Sequence, residues 1–346
     1  MRAIYFSEFN GKISVRDVPQ PRAPKSGVVI KVEATGLCRS DWHGWAGHDS
    51  DIHLPHVPGH ELAGTVFEVG EGVTRFHVGD RITVPFVNGC GKCTFCTSGN
   101  AQVCPNQTQP GFTQWGSFAE YVALENADFN LIALPDEISF QTAAALGCRF
   151  ATAFRGIVDR AKVKQGKWVA IYGCGGVGLS SIMIAKAMGA KVIAVDINPD
   201  ALQKAEELGA DYSINSALND PVTTIWDITD LGAHVSIDAL GSETTANNAV
   251  LSLRRMGRHV QLGLLLTESG QSLMPMSRVI GWEIDILGSH GMPAVDYPKM
   301  LALVASGELK PQDLISREVS LSAGAEELGK MENSKRSGIT IIKPSM

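Results

Sequence analysis

One stretch, "KWVAIYGCGGVGLSSIMIAKAMGAKVIAVDINPDAL" from Lys167 to Leu202, constrains the fold of this chain more than any other. Lys167–Tyr172 reads as a buried strand. A helix is expected to run to about Met188, and a second strand, "KVIAVD", ends at Asp196. Between strand and helix lie Gly173, Gly175, Gly176, Val177 and Gly178. A lone glycine triplet says little. Placed after a strand, opening a helix and followed about 20 positions later by an acidic residue, it is a dinucleotide fingerprint. The glycines let the backbone approach a pyrophosphate, and the helix N-terminus supplies positive potential. Asp196 can accept hydrogen bonds from ribose hydroxyls and would repel a 2′-phosphate. The following "INPDAL" brings no arginine to compensate, so NAD is the expected cofactor. Cys174, inside the loop, reads as a small filler without a metal role.

The same stretch contains 18 uncharged residues, Trp168–Ala185, enough by length for a membrane span. Its glycines and serines fall mid-window, which argues for a soluble strand–turn–helix instead. The alternation continues beyond it. Helices are expected at Pro199–Leu208, Val222–Ile228 and Thr244–Arg254, and strands at "DYSIN", "HVSIDAL", "GRHVQLG" and "EIDILGSH". Six parallel-type strands with interleaved helices predict a doubly wound α/β domain over residues 150–290. Residues 2 to about 130 instead show short strands punctuated by glycine and proline, the pattern of a barrel-like all-β domain. A length of 346 residues suits two domains, since single cores stop growing near ~250–300 residues.

The formal charge is −6, with no basic patch, which argues against a nucleic-acid partner. The N-terminal "MRAIYFSEFNGKISV" lacks the apolar region of a secretory signal. A reducing, cytoplasmic setting is therefore expected, and disulfides are not. Yet four of the seven cysteines crowd into "GCGKCTFCTSGNAQVC": Cys90, Cys93, Cys96 and Cys104. Four thiolates on one loop can close a tetrahedron around a structural zinc, stiffening a lobe (about 89–105) too polar to fold alone. An iron–sulfur cluster or redox-active thiols are the competing readings of that loop.

Cys38, in "GLCRSDWHGWAGH", and Cys148, in "AALGCRFATAFRG", flank the run Gly59-His60-Glu61-x-x-Gly64, with Gly70 and Val73 beyond it. With these residues and the cysteine-loop spacing, the chain resembles the zinc-dependent alcohol dehydrogenases of the medium-chain dehydrogenase/reductase superfamily, over essentially its full length. The resemblance implies a GroES-like β-rich catalytic domain at 1–149 and a Rossmann NAD-binding domain, with a doubly wound parallel sheet, at 150–290. A return segment, 291–346, would complete the catalytic domain. It also implies two zinc ions per chain, the second held by Cys38, His60 and Cys148 with one position open for substrate. The zinc would act as Lewis acid on an alcohol whose hydride passes to the nicotinamide.

Further roles follow from the same resemblance. Ser40 and His43 match a proton relay, with His43 as an exit base whose imidazole would keep the ordinary pKa of ~6.5. Asp41 matches the carboxylate that orients His60. Glu61 would lie close to the metal and ligate it transiently. Arg39 matches a pyrophosphate contact, Thr152 a residue packing on the nicotinamide, and Trp45 and Phe86 the substrate-pocket wall. Ser40 is smaller than the threonine of many relatives, which leans toward secondary alcohols, or toward breadth over primary and secondary alcohols. One departure is visible: Ile339 stands where the family often has a pyrophosphate-contacting arginine, for which Lys335 or Arg336 could substitute. A homotetramer, or a dimer, is the expected assembly, with a small alcohol, aldehyde or ketone as partner and no membrane. The rival readings are a polyol or threonine dehydrogenase, whose third ligand is often Glu where this chain has Cys148, and a non-enzymatic binding protein, which would have a broken ligand set.

Overall fold

The computed structural model describes residues 1–265, 271–333 and 338–346. Lys335 and Arg336 lie outside the described residues. Strands β1 (Arg2–Tyr5) and β2 (Ser14–Asp17) form an antiparallel pair of their own. A larger sheet begins with β3 (Val28–Leu37), β4 (Glu61–Val69), β5 (Arg81–Thr83), β6 (Tyr121–Leu124) and β7 (Ile132–Ala133). In β3 the alternate residues Val28, Ile30 and Val32 point into one core with Leu62, Val66, Phe76, Ile82 and Val122. Lys31 and Glu33 point the other way and pair with each other at 2.9 Å. The register of β3 against β4 shifts twice, between Val29 and Ile30 and between Val32 and Ala34, and beyond these irregularities Gly36 lies opposite Glu61.

Next in the chain come β8 (Trp168–Tyr172), β9 (Lys191–Asp196), β10 (Tyr212–Asn215), β11 (Ala233–Asp238), β12 (Leu253–Gln261) and β13 (Asp285–Gly288). They form one six-stranded sheet in the order β10-β9-β8-β11-β12-β13, with every neighbouring pair parallel. The sequence order reverses between β8 and β11, the place where a sheet of this kind opens a crevice for a ligand. The uncharged window resolves into β8 and the helix Gly176–Ala187. The helix is apolar on nearly all sides because residues Gly178–Ala185 are all buried. Among the described residues no helix is long and apolar enough to cross a membrane.

The helix expected at Thr244–Arg254 is shorter at its C-terminal end: it spans Glu243–Leu251. Ser242 caps its start, accepting the Thr245 N–H at 3.1 Å. Leu253 already pairs with Ala233, so "LRRMG" belongs to β12. A register shift there is absorbed by Met256, which adopts φ +57° and is largely exposed. Finally β14 (Ile315–Val319) and β15 (Ile339–Ile342) join the first sheet, β15 antiparallel to β3 through Thr35–Leu37. The order is β14-β15-β3-β4-β5-β7, with β6 branching from β3. The chain divides into two units, Met1–Ala151 with Gly291–Met346, and Thr152–His290.

Candidate active site

The site is built outward from Asp41. Helix Arg39–Trp45 begins at Cys38, whose backbone is extended, and Asp41 turns its carboxylate back to accept the Cys38 N–H at 2.9 Å. Its other oxygen accepts the Gly59 N–H at 3.0 Å and the His60 Nδ1–H at 2.8 Å. Asp41 and His60 are both buried, so the ring is fixed in orientation and tautomer. The remaining nitrogen, Nε2, is buried with no hydrogen-bond partner. Leaving such an acceptor orphaned costs ~1–3 kcal/mol, so a bound partner is expected there. Cys38, His60, Glu61 and Cys148 each bring one ligand atom to within 4.8 Å of the others. Two thiols and an imidazole are the N/S donor set that suits zinc. Although buried, the Cys38 thiol is held well below its ordinary pKa, first by a hydrogen bond from Cys148 and then by the charge of Arg149.

The second cluster, Cys90, Cys93, Cys96 and Cys104, also converges within 4.8 Å. Cys93 caps the short helix Thr94–Thr97, its sulfur accepting the Cys96 N–H at 3.5 Å. Cys104 accepts from the N–H groups of Cys90 and Asn106 at 3.5 and 3.3 Å. Backbone N–H groups of Lys92 and Cys93 hold the Cys90 thiol at about 6, which favours the metal-binding thiolate. Asn130 ties the loop down, accepting the Gly89 N–H at 2.8 Å and donating to the Gly89 carbonyl at 3.0 Å. Beyond Ala101 and Phe129 the lobe's core consists of the cysteines themselves. Four thiols with no open position fit a structural zinc.

In the second unit, Gly173 follows β8 with φ +89°, a conformation that favours glycine. A Cβ on Gly178 would stand 1.7 Å from the Gly173 carbonyl oxygen, so the helix closes on the strand only because that atom is missing. Nothing lies within 4 Å of the Cβ position of Gly175, which leaves the outer face of the loop open. Asp196, at the end of β9, accepts the Cys174 N–H at 2.6 Å and the Asn198 N–H at 2.9 Å. Its carboxylate is therefore fixed beside the glycine loop. Cys174 itself is buried, and burial raises its thiol pKa.

Two family models match this chain in series: "Alcohol dehydrogenase GroES-like domain" over residues 24–136 and "Zinc-binding dehydrogenase" over residues 176–306. An NAD-dependent alcohol dehydrogenase of Sulfurisphaera tokodaii is 32% identical, with 99% of this chain and 100% of that one covered. This chain belongs to the zinc-dependent alcohol dehydrogenase family. A sorbitol dehydrogenase of Halalkalibacterium halodurans is 33% identical over 90% of each chain. The solved structure of alcohol dehydrogenase TADH from Thermus sp. ATN1 has a TM-score of 0.92, with 28% identity and 99% of each chain covered. The protein is thus an NAD-dependent, zinc-binding alcohol dehydrogenase, with a GroES-like domain and a Rossmann domain.

Within this alcohol dehydrogenase, Glu61 has a partner that the sequence did not announce. Its Oε1 accepts the N–H groups of Cys148 and Arg149, both at 3.0 Å, and Arg149 Nε–H at 3.1 Å. Its Oε2 accepts from Arg149 Nη2. Arg149 is 8% exposed and Glu61 0%. The only hint in the sequence was a charge in the apolar run "AALGCRFATAF". Glu61 was expected as a transient ligand; it is near the metal donors, but both of its oxygens are engaged by Arg149.

The relay candidates lie on the Arg39–Trp45 helix. Ser40 Oγ is 3.8 Å from Cys38 Sγ. His43 is half-buried, with its Nδ1 2.9 Å from Nδ1 of His48, a residue not foreseen. The expectation of an ordinary pKa for His43 needs correction: burial, His48 and the Arg39 charge lower it. Arg39 donates to the Met331 carbonyl at 2.7 Å and lies 4.5 Å over the Trp42 ring. Phe86 is buried with its ring 6.1 Å from that of His60. Phe112, also unforeseen, comes closer, at 5.1 Å. Trp45 donates from Nε1 to the Gly11 carbonyl at 3.0 Å and packs with Phe6, Ile52 and Phe112. In the second unit Thr152 is buried in the helix Ala151–Arg155. Ile339 is buried as the first residue of β15.

Proposed function

We propose that this alcohol dehydrogenase interconverts simple primary and secondary alcohols with their aldehydes and ketones, using NAD in preference to NADP. Cys38, His60 and Cys148 hold the catalytic zinc in this reading, and the four-cysteine lobe holds the structural one. The observation that carries it is the orphaned, buried Nε2 of His60, aimed among two thiols by Asp41. When bound, zinc supplies Lewis acidity that brings a substrate hydroxyl toward ionisation at neutral pH. Ser40 takes the hydroxyl proton, and His43 receives it nearer to solvent. Asp41 keeps the His60 lone pair pointed at the metal position. Phe86 and Phe112 flank His60 with apolar surface and limit water there. Asp196 favours the 2′-hydroxyl of NAD over a 2′-phosphate, while Gly173–Gly178 accept the pyrophosphate.

Ser40 leaves one methyl less bulk than threonine would, which supports activity on secondary alcohols. Seven free cysteines support a reducing compartment, the cytoplasm. A homotetramer, with a dimer as the alternative, completes the reading, and light scattering measures it. The decisive experiment is metal analysis with an NAD⁺-reduction screen over primary, secondary and polyol substrates. We expect two zinc ions per chain and turnover of simple alcohols, with Cys148→Ala losing one zinc and nearly all activity. Turnover of polyols alone, or a preference for NADP⁺, would overturn the corresponding part of the reading.

A further inference from the structure

We infer that Arg149 is a positioning residue that holds the Glu61 carboxylate off the fourth ligand position of the catalytic metal. The inference rests on the reading that Cys38, His60 and Cys148 bind that metal. Glu61 follows His60 directly, and one of its carboxylate oxygens lies within 4.8 Å of all three donor atoms. A free carboxylate at that range is a fourth ligand, and a site with four protein ligands has no position for substrate. Three things keep it away. The guanidinium grips both carboxylate oxygens, a two-pronged fit that lysine cannot reproduce. The N–H groups of Cys148 and Arg149 add two further donors to Oε1. The pair also has a space made for it. A Cβ on Gly36 would stand 2.4 Å from Glu61 Oε2 and 3.2 Å from Arg149 Nη2, and one on Gly147 would meet Glu61 atoms at 2.7–2.8 Å.

Charge points the same way. Two thiolates neutralise a divalent ion, so the buried carboxylates of Glu61 and Asp41 both add negative charge around it. Arg149, next to Cys148, offsets that of Glu61, while Asp41 spends its charge on the His60 ring and two backbone N–H groups. Metal ligand and clamp are thus neighbours on one turn, Leu146–Phe150, and are placed by the same backbone.

The test uses the holoenzyme with cobalt(II) in the catalytic site and added imidazole as a probe for the open position, followed by visible absorption. Arg149→Met should weaken imidazole binding by ~10–100-fold, the range typical of residues that support a metal's ligands. The KM for alcohol should rise in parallel. Adding Glu61→Gln to that variant should restore imidazole affinity, because the competing carboxylate is gone. A residue with only a structural role would give no such rescue. If Arg149→Met does not fold, Arg149→Lys carries the test: it keeps the charge, should weaken imidazole binding in the same direction, and should again be rescued by Glu61→Gln. Unchanged imidazole affinity in the single variants, or failure of Glu61→Gln to rescue, overturns the inference. Failure of the wild-type enzyme to take up cobalt at this site would instead overturn the assignment of the metal ligands.

Discussion

At the scale of single residues, the informative groups are those whose hydrogen bonds leave one atom free. His60 is one, with Nδ1 committed to Asp41 and Nε2 unpartnered. His43 and His48 are another, since two Nδ1 atoms 2.9 Å apart share one proton. A base works when neutral, so a lowered pKa extends His43's working range to the acid side of ~6.5. His43→Gln should therefore slow alcohol oxidation most on that acid limb, with partial rescue by imidazole buffer, because general-base help is typically worth ~10²–10⁴-fold but a half-buried base at the solvent end of the proposed relay is replaceable. His48→Gln removes one of the causes of the depression and should move the acid limb of kcat/KM toward higher pH. A profile identical to wild type in both variants would mean that the proton leaves by another route.

At the scale of elements, the candidate metal cluster of the cysteine loop and the glycine loop were readable because such sites demand particular residue types at short spacings. Arg149 was not readable, because its partner Glu61 lies 88 positions away and no local pattern links them. Phe112 approaches His60 across 52 positions, again beyond any local pattern. The C-terminal end of the Glu243–Leu251 helix was misread because "LRRMG" suits either a helix or a strand, and only pairing with β11 decides between them. The Gly176–Ala187 helix closes on the turn before it at Gly178, where there is no room for a side chain. Gly178→Ala would force a methyl into the Gly173 carbonyl, and overpacking of this kind costs ~1–3 kcal/mol. We expect a lower melting temperature and weaker NAD binding by calorimetry, with zinc content unchanged. Wild-type NAD affinity in that variant would show that the loop tolerates being pushed open.

At the scale of the whole molecule, histidines held neutral by burial weaken the fold as the pH falls below neutrality. Burial and the Arg254 charge push His234 down to about 4, and burial also lowers His56 and His259. Their folded-state values lie below the unfolded value of ~6.5, so the unfolded chain binds more protons as pH falls. Stability is fully present above ~6.5 and declines below it, by at most ~1.4 kcal/mol per pH unit for each histidine. The melting temperature should fall between pH 7 and pH 5, and His234→Gln should flatten that slope. A melting temperature independent of pH over this interval would count against it. The fold class was legible at this scale because two patterns, glycine-punctuated short strands and strand–helix alternation, occupy separate halves of the chain.

The branching of the first sheet also sets a schedule for synthesis. All seven side chains proposed as metal ligands, Cys38 to Cys148, precede residue 149, whereas β15, which pairs with the end of β3 just before Cys38, runs to Ile342. From residue 148 to 342 the ribosome must add 194 residues, roughly 10–40 s at ~5–20 residues per second. Throughout that interval the Thr35–Leu37 edge of β3 has no β15 to cover it. The two candidate metal clusters are thus delivered early, onto a scaffold that its own last strand completes much later.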